Sequence, residues 1–313
     1  MVFRKILFLL IIPFSFLYFL IISIREILYS LHIFKKYKLN AEVISVGNIT
    51  WGGTGKTPVV AFIADLLSKK GRRVAILIRG YGNDESELLP KLTSNIPVLV
   101  GRDRVKNGNE AVERYMADTI LLDDGFQYRR LKRDLDIVCI DSTRPFGNGW
   151  LIPAGSKRET IGSLKRADVF LLTKVDLVYA KDSLKRLEDK LRRINPGAVI
   201  ARAIHRPLYF YKLLDEEKVG IDQLKNKEIV LVSAIGSPAC FEKTILRLGL
   251  RINRHFVFRD HYFYTKGDIQ QTADYCRNNK LDTVVTTEKD AVKLKSLQLK
   301  AFGFKGEAGD SRK

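Results

Sequence analysis

Residues 44–58 read Ile-Ser-Val-Gly-Asn-Ile-Thr-Trp-Gly-Gly-Thr-Gly-Lys-Thr-Pro, and their types and spacing suit one kind of chemistry, the handling of phosphate. The β-leaning run from Glu42 to Val46 feeds a glycine-rich turn, and a helix is expected to open near Thr57 or Pro58. Gly52, Gly53 and Gly55 let the backbone take positive φ and turn its N–H groups inward. Together with Thr54 and the helix N-terminus they form a cradle for phosphate oxygens. Lys56 would pair the β and γ phosphates of a nucleoside triphosphate, and the Thr57 hydroxyl would ligate Mg²⁺. The GxxxxGK[ST] pattern has one gap, because Thr50 stands at its first glycine position. A second signal is Thr119-Ile-Leu-Leu-Asp123-Asp124-Gly125, an apolar strand that ends in two carboxylates. A single Asp at such a place often only shapes a turn. A doublet followed by glycine points to an acid held beside the metal of the first loop.

These residues need elements to position them. An apolar-periodic helix from Val59 to Lys69 ends at Gly71, and a strand from Arg73 to Ile78 stops in Arg79-Gly-Tyr81-Gly. Further strands are expected at 97–100, 119–122, 135–140 and 168–173, alternating with helices at 109–116 and 181–193. Such alternation predicts a parallel sheet with helices on both faces and ligands at the carboxyl ends of the strands. Asn195-Pro-Gly197 reads as a break, followed by a connector over 198–213. A second, smaller α/β unit over 214–313 has strands at 228–233 and 282–286. The fold class is therefore α/β, with a P-loop domain over 35–197 and an N-terminal membrane-associated region over 1–34.

At 313 residues the chain is long enough for two domains. Its three cysteines, Cys139, Cys240 and Cys276, show no metal spacing and fit a reducing compartment. A net charge of +19 calls for anionic partners. No ladder of interleaved aromatic and basic residues appears, so no specific nucleic acid is expected, and no protein partner is implied. From Ile6 to Ile24 the chain carries no charge. As a helix that run is ~28 Å long, against a hydrocarbon core of ~30 Å. Pro13 and Ser15 interrupt it, so a span and a helix lying in one leaflet are both open. Lys35, Lys36 and Lys38 add positive charge suited to anionic headgroups.

Taken together the motifs resemble the tetraacyldisaccharide 4'-kinase family, the lipid A 4'-kinases. The resemblance rests on Ser45-Val-Gly-Asn-Ile-Thr50, Gly52 to Pro58, Arg79 to Gly82, Asp123-Asp-Gly-Phe-Gln127, Leu131 to Asp134, Leu151 to Gly155 with Arg158-Glu159, Ala234 to Pro238, Asp260-His-Tyr262 and Thr286 to Asp290. It implies transfer of the γ-phosphate of ATP, with Mg²⁺, to the 4'-hydroxyl of a lipid A disaccharide precursor at the cytoplasmic face of the inner membrane. It also implies roles for particular residues. Asp84 maps onto the family's catalytic Asp, although the spacer that precedes that acid in the family is deleted here, and His261 would tune it. Lys56 and Asp123 complete the catalytic set. Asp124 and Glu159 would join Thr57 and Asp123 around the metal, and Arg79, Tyr81 and Arg104 would meet the anionic substrate. Tyr128 replaces the histidine usual after Asp-Asp-Gly-Phe-Gln.

A membrane-tethered GTPase switch is the rival. Thr173-Lys-Val-Asp176 after a strand looks like a guanine-reading signature, but Phe126 stands where the DxxG motif of such switches needs glycine.

Overall fold

Short apolar runs with no polar side to spare must be covered on both faces, and here amphipathic helices between them do the covering. The computed structural model describes residues 2–80, 89–90, 92–93, 95–178, 180–204, 206–260 and 262–295, with side chains from residue 10 onward except that of Lys181. These residues form two compact units, one up to residue 204 and one from 206 onward.

The first unit begins with helix α1 (Val2–Ser30). It continues with β1 (Glu42–Gly47), α2 (Lys56–Lys69), β2 (Val74–Ile78), β3 (Val98–Val100), α3 (Arg104–Tyr115), β4 (Thr119–Asp123), β5 (Leu135–Asp141), β6 (Val169–Thr173), α4 (Lys181–Ile194) and β7 (Val199–Arg202). The strands make one seven-stranded sheet in the order β3-β2-β4-β1-β5-β6-β7, parallel at every pairing. β1 lies beside β4 in a register that sets Val46 opposite Asp123. The glycine-rich loop and the acid doublet therefore leave the same edge of the sheet side by side. Ile44, Val46, Ile76 and Leu121 pack under Val60 and Ala64 of α2, and Leu77, Ile120 and Leu122 pack with Ala111 of α3 on the other face. Each large aliphatic side chain so buried contributes about 1.5–3 kcal/mol.

The largest departures from the pattern read in the sequence are at α3 and β7. α3 starts at Arg104, five residues before the expected Asn109, because the Asp103 carboxylate accepts hydrogen bonds from the amides of Val105 and Lys106 at 3.1 and 3.3 Å. The stretch from 198 onward, expected as a connector, contributes β7 to the sheet edge. Asn195-Pro-Gly197 is the α4–β7 loop, fixed by the Asn195 amide donating to Ala167 O at 2.8 Å. Arg202 then ties β7 to α4 through two bonds to Glu188 at 2.7 and 3.0 Å.

α1 is two-sided. Ser15, Ile22 and Tyr29 are buried against the first unit, whereas Leu10, Phe14, Phe16, Leu17, Ile21 and Ile24 are exposed. It is long and apolar enough to cross a membrane. One side is nevertheless spent on the domain, through Arg25 to Glu159 at 2.6 Å and through Glu26, which pairs with Arg129 and with Arg166 at 3.2 Å.

The second unit carries a hairpin of β8 (Phe210–Tyr211) and β9 (Lys218–Val219) and a single helical turn α5 (Ile221–Leu224). β10 (Glu228–Ser233), α6 (Pro238–Arg247), β11 (Arg251–Val257), α7 (Lys266–Asn278), β12 (Val284–Thr286) and α8 (Glu288–Lys295) follow. Its main sheet is parallel in the order β11-β10-β12. Two of the quoted motifs meet here. Asp290, fully buried, accepts from Ala234 N at 3.0 Å and from the Thr287 hydroxyl at 2.7 Å, so it holds the exit of β10 to the start of α8.

The close approach of β1 to the turn after β4 is tightest at Gly47, where an added Cβ would lie 2.5 Å from Phe126 Cβ and 2.6 Å from Phe126 N. Gly47→Ala is expected to lower stability by about 1–3 kcal/mol, since the obstacle is partly backbone that cannot swing away. Urea unfolding of the full chain measures it, and an unchanged midpoint would contradict that packing.

Candidate functional site

The loop between β1 and α2 has the conformation of a phosphate cradle. Gly52 and Gly55 take φ of 119° and 85°, and Gly55 caps α2 with no side-chain hydrogen bond. The first-turn amides of α2 are thus not occupied by a capping side chain. A Cβ on Gly52 or Gly53 would meet nothing within 4 Å, so this part of the loop faces open space. Thr50, at the position of the missing glycine, has no positive φ to accommodate and forms a β-bridge with Lys157. The loop is braced from beneath. Asn48 Nδ2 donates to Thr54 Oγ1 at 2.9 Å, Thr173 Oγ1 donates to Thr54 O at 2.9 Å, and Lys174 Nζ donates to Gly53 O at 2.6 Å while pairing with Asp141. Thr54, expected among the ligand contacts, has its amide on Gly52 O at 2.9 Å and its hydroxyl on Asn48. It shapes the loop from within.

The acid doublet splits into two environments because Asp124 turns left-handed, with φ of 52°, a conformation Asp tolerates better than most residues. Asp123 Oδ2 accepts from Thr57 Oγ1 at 3.3 Å. Asp124 takes both arms of Arg158, each at 2.9 Å, and lies 3.5 Å from Lys56 Nζ. Burial alone would raise the Asp124 pKa, but the Lys56 ammonium and the Arg158 guanidinium outweigh it and hold the carboxyl far below the usual carboxylate range. Asp124 therefore stays ionised, in a planar two-bond geometry that only arginine supplies.

Two expected ligand contacts turn out to have structural partners. Arg104, 1 % exposed, donates to the carbonyls of Asp123 and Asp124 at 2.7 and 3.1 Å and stacks at 5.4 Å on the Tyr128 ring, so it backs the acid turn instead of facing an anionic substrate. Tyr128, at the position of the family histidine, accepts from Arg104 N at 3.2 Å. Glu159, also 1 % exposed, has its carboxylate on Arg25 at 2.6 Å and near Arg166 at 3.9 Å, and those cations neutralise it. Arg79 directly follows β2 at the carboxyl edge of the sheet. Tyr81, Asp84 and His261 lie outside the described residues. Among the described residues no cluster of three or more His, Cys, Asp or Glu is placed to hold a metal. Thr57 and Asp123 are adjacent oxygen donors, a set that suits a hard divalent cation. Arg158 and Asn48 were missed as site residues, although both lie inside quoted motifs. Nothing in their spacing shows that Arg158 reaches Asp124 and comes within 3.5 Å of Asn48.

A family model described as tetraacyldisaccharide-1-P 4'-kinase, LpxK, matches residues 7–88 and 83–304. The chain belongs to the tetraacyldisaccharide-1-P 4'-kinase family. Relatives carrying the name tetraacyldisaccharide 4'-kinase include one from Halothermothrix orenii, 34 % identical over 91 % of this chain and 83 % of its own, and one from Syntrophus aciditrophicus, 36 % identical over 91 % and 84 %. The crystal structure of LpxK from Aquifex aeolicus in complex with ATP superposes with a TM-score of 0.66 at 32 % identity, covering 90 % of this chain and 89 % of that one. Membership in this family favours a lipid kinase over a GTPase switch, and the site geometry agrees. Phe126, where a switch needs glycine, is wholly buried in the core, and Thr173 and Lys174 of the guanine-like signature brace the loop carbonyls of Thr54 and Gly53.

Two outcomes test the Asp124 clamp. Arg158→Lys, which keeps the charge but loses the paired bonds, is expected to reduce kcat about 10²-fold. Steady-state phosphotransfer measures it, and a loss under about threefold would contradict the clamp. The second concerns acid stability. Folding depresses the Asp124 pKa, so its ionised form adds stability that is complete above the unfolded value of about 3.9 and is lost as pH falls through the folded pKa. Arg158→Gln should therefore lose less stability than the native chain between about pH 4 and pH 2. Unfolding midpoints across that range measure the difference, and parallel curves would refute it.

Proposed function

We propose that the chain is an ATP- and Mg²⁺-dependent lipid kinase that phosphorylates the 4'-hydroxyl of a tetraacyldisaccharide 1-phosphate on the cytoplasmic face of the inner membrane. The observation that carries the reading is the convergence of Lys56, Thr57, Asp123 and Arg158-clamped Asp124 beside an open glycine cradle at one edge of the sheet. Phosphoryl transfer needs positioning and neutralised charge more than covalent help from the protein. The amides of the loop and of the α2 N-terminus receive phosphate oxygens, and Lys56 neutralises those nearest the bond that breaks. Thr57 and Asp123 would hold Mg²⁺, which supplies charge neutralisation across the β and γ phosphates. Asp124 supports this pair by fixing Lys56 and Arg158.

The family resemblance assigns the proton-accepting role to Asp84; His261 would tune it, and Arg79 and Tyr81 would contact the anionic acceptor. In the transfer, the 4'-hydroxyl oxygen bonds to the γ-phosphorus, the bond to the β-phosphate oxygen breaks, and the hydroxyl proton passes to the Asp84 carboxylate. The exposed apolar side of α1, Phe14 to Ile24, lies in the lipid interface while its other side stays on the domain. Lys35, Lys36 and Lys38 follow it toward anionic headgroups.

Labelled ATP with Mg²⁺ and the disaccharide 1-phosphate lipid is expected to give a bisphosphorylated product, and Lys56→Ala to give none. A preference for GTP with no sugar acceptor would overturn the reading. Asp84→Asn is expected to slow turnover ~10²–10⁴-fold. A loss below tenfold in the same assay moves the base elsewhere.

A further inference from the structure

Three polar side chains of α1 converge on one short loop. Ser15 Oγ donates to Leu151 O at 3.0 Å and accepts from Ala154 N at 2.9 Å. The Tyr18 hydroxyl donates to Arg158 O at 2.8 Å, and the Arg25 guanidinium donates to the buried Glu159 carboxylate at 2.6 Å. Positions 15, 18, 22, 25 and 29 recur at helical spacing, so they share one side of α1. Ile22 and Tyr29 complete that side as buried apolar contacts.

The loop they hold is also stitched to the phosphate cradle. Arg158 N donates to Ile49 O at 2.8 Å, Trp51 N donates to Ser156 O, and Thr50 bridges Lys157. From the same loop the Arg158 side chain reaches Asp124 with both arms and approaches Asn48 Oδ1, whose amide in turn holds Thr54. A helix that served only as an anchor would need no such bonds. The loop's amide and carbonyl groups could equally face water, and a serine hydroxyl in an apolar run lowers its affinity for lipid. The chain instead places a hydroxyl from α1 on the carbonyl of the very residue that clamps the acid turn.

We infer that α1 is a positioning element for phosphoryl transfer, with Tyr18 and Ser15 as positioning residues that seat the 151–159 loop so that Arg158 meets Asp124 with two bonds. Neither residue touches the reacting atoms; both act through Arg158 and the entry to the cradle. Because the opposite side of α1, including Phe16, Leu17 and Leu20, is exposed and apolar, one helix joins lipid on one side to the catalytic loop on the other.

The inference rests on the kinase reading, and the experiment separates the two. The full chain, Tyr18→Phe and Leu20→Ser are compared for turnover of the disaccharide 1-phosphate lipid with ATP, for cosedimentation with anionic vesicles and for melting temperature. Tyr18→Phe removes one oxygen and leaves the ring. It is expected to lower kcat about five- to tenfold, as the loss of one hydrogen bond in a positioning chain allows, with KM for the lipid, vesicle binding and melting unchanged. Leu20→Ser is expected to do the reverse, weakening vesicle binding while kcat in detergent micelles at saturating substrate stays at the native value. A Tyr18→Phe kcat within about twofold of native, or a loss matched by weaker vesicle binding or a lower melting temperature, overturns the positioning role and leaves α1 an anchor. No turnover by the native chain would overturn the kinase reading itself, and the inference with it.

Discussion

The ionised carboxylate of Asp124 is the constraint around which the first unit is organised. A half-buried charge at the end of a buried strand is steadied when cations and donors surround it. Lys56 comes from the start of α2, Arg158 from the 151–159 loop, and Arg104 from α3 steadies the backbone carbonyls behind it. Three segments far apart in the chain are drawn to one turn. The left-handed backbone of Asp124 aims its carboxylate at the cations and leaves Asp123 facing Thr57. The strain of that turn is of the kind found where the surroundings over-determine a conformation.

The sheet and the cradle were legible because their signals are local. Apolar runs with intervening helical periods fix the strand sequence, and glycine and lysine next to a helix start have few other uses. Partner choice among charged residues was not legible. Arg104 and Glu159 sit inside motifs that suggest ligands, yet one faces backbone carbonyls and the other faces Arg25 and Arg166. With 54 lysines and arginines against 35 acids, sequence spacing gives no measure of which cation reaches which anion. The same holds for β7, whose short polar-ended run Val199–Arg202 has no pattern of its own and forms through β6 and the Glu188 pair. The family motif at Thr286 to Asp290 became intelligible only as a tie between Asp290 and Ala234.

The N-terminal helix shows why composition understates what an apolar segment does. Its lack of charge from Ile6 to Ile24 reads as a membrane segment, spanning or lying in one leaflet, but Ser15 and Tyr18 interrupt the run on the side where a folded domain must be met. Arg25 and Glu26 extend that side as a row of ion pairs, partly buried, in which each acid is shared between two arginines. Such shared pairs hold geometry more than they add stability, since desolvation offsets much of the attraction. The helix is thereby registered on the domain from Ser15 to Tyr29.

The 3.5 Å pairing of Lys56 with Asp124 has one further consequence. The ammonium that must greet a triphosphate is already matched to an acid of the protein's own. Engagement of any outside anion is therefore a competition: the lysine's other N–H donors meet the newcomer while it shares its charge with Asp124, and Arg158 keeps that carboxylate from drifting. Selectivity then turns on how many oxygens the newcomer offers to the loop amides at once, and a mono-anion, however attracted by the overall basic charge, would gain too little to compete.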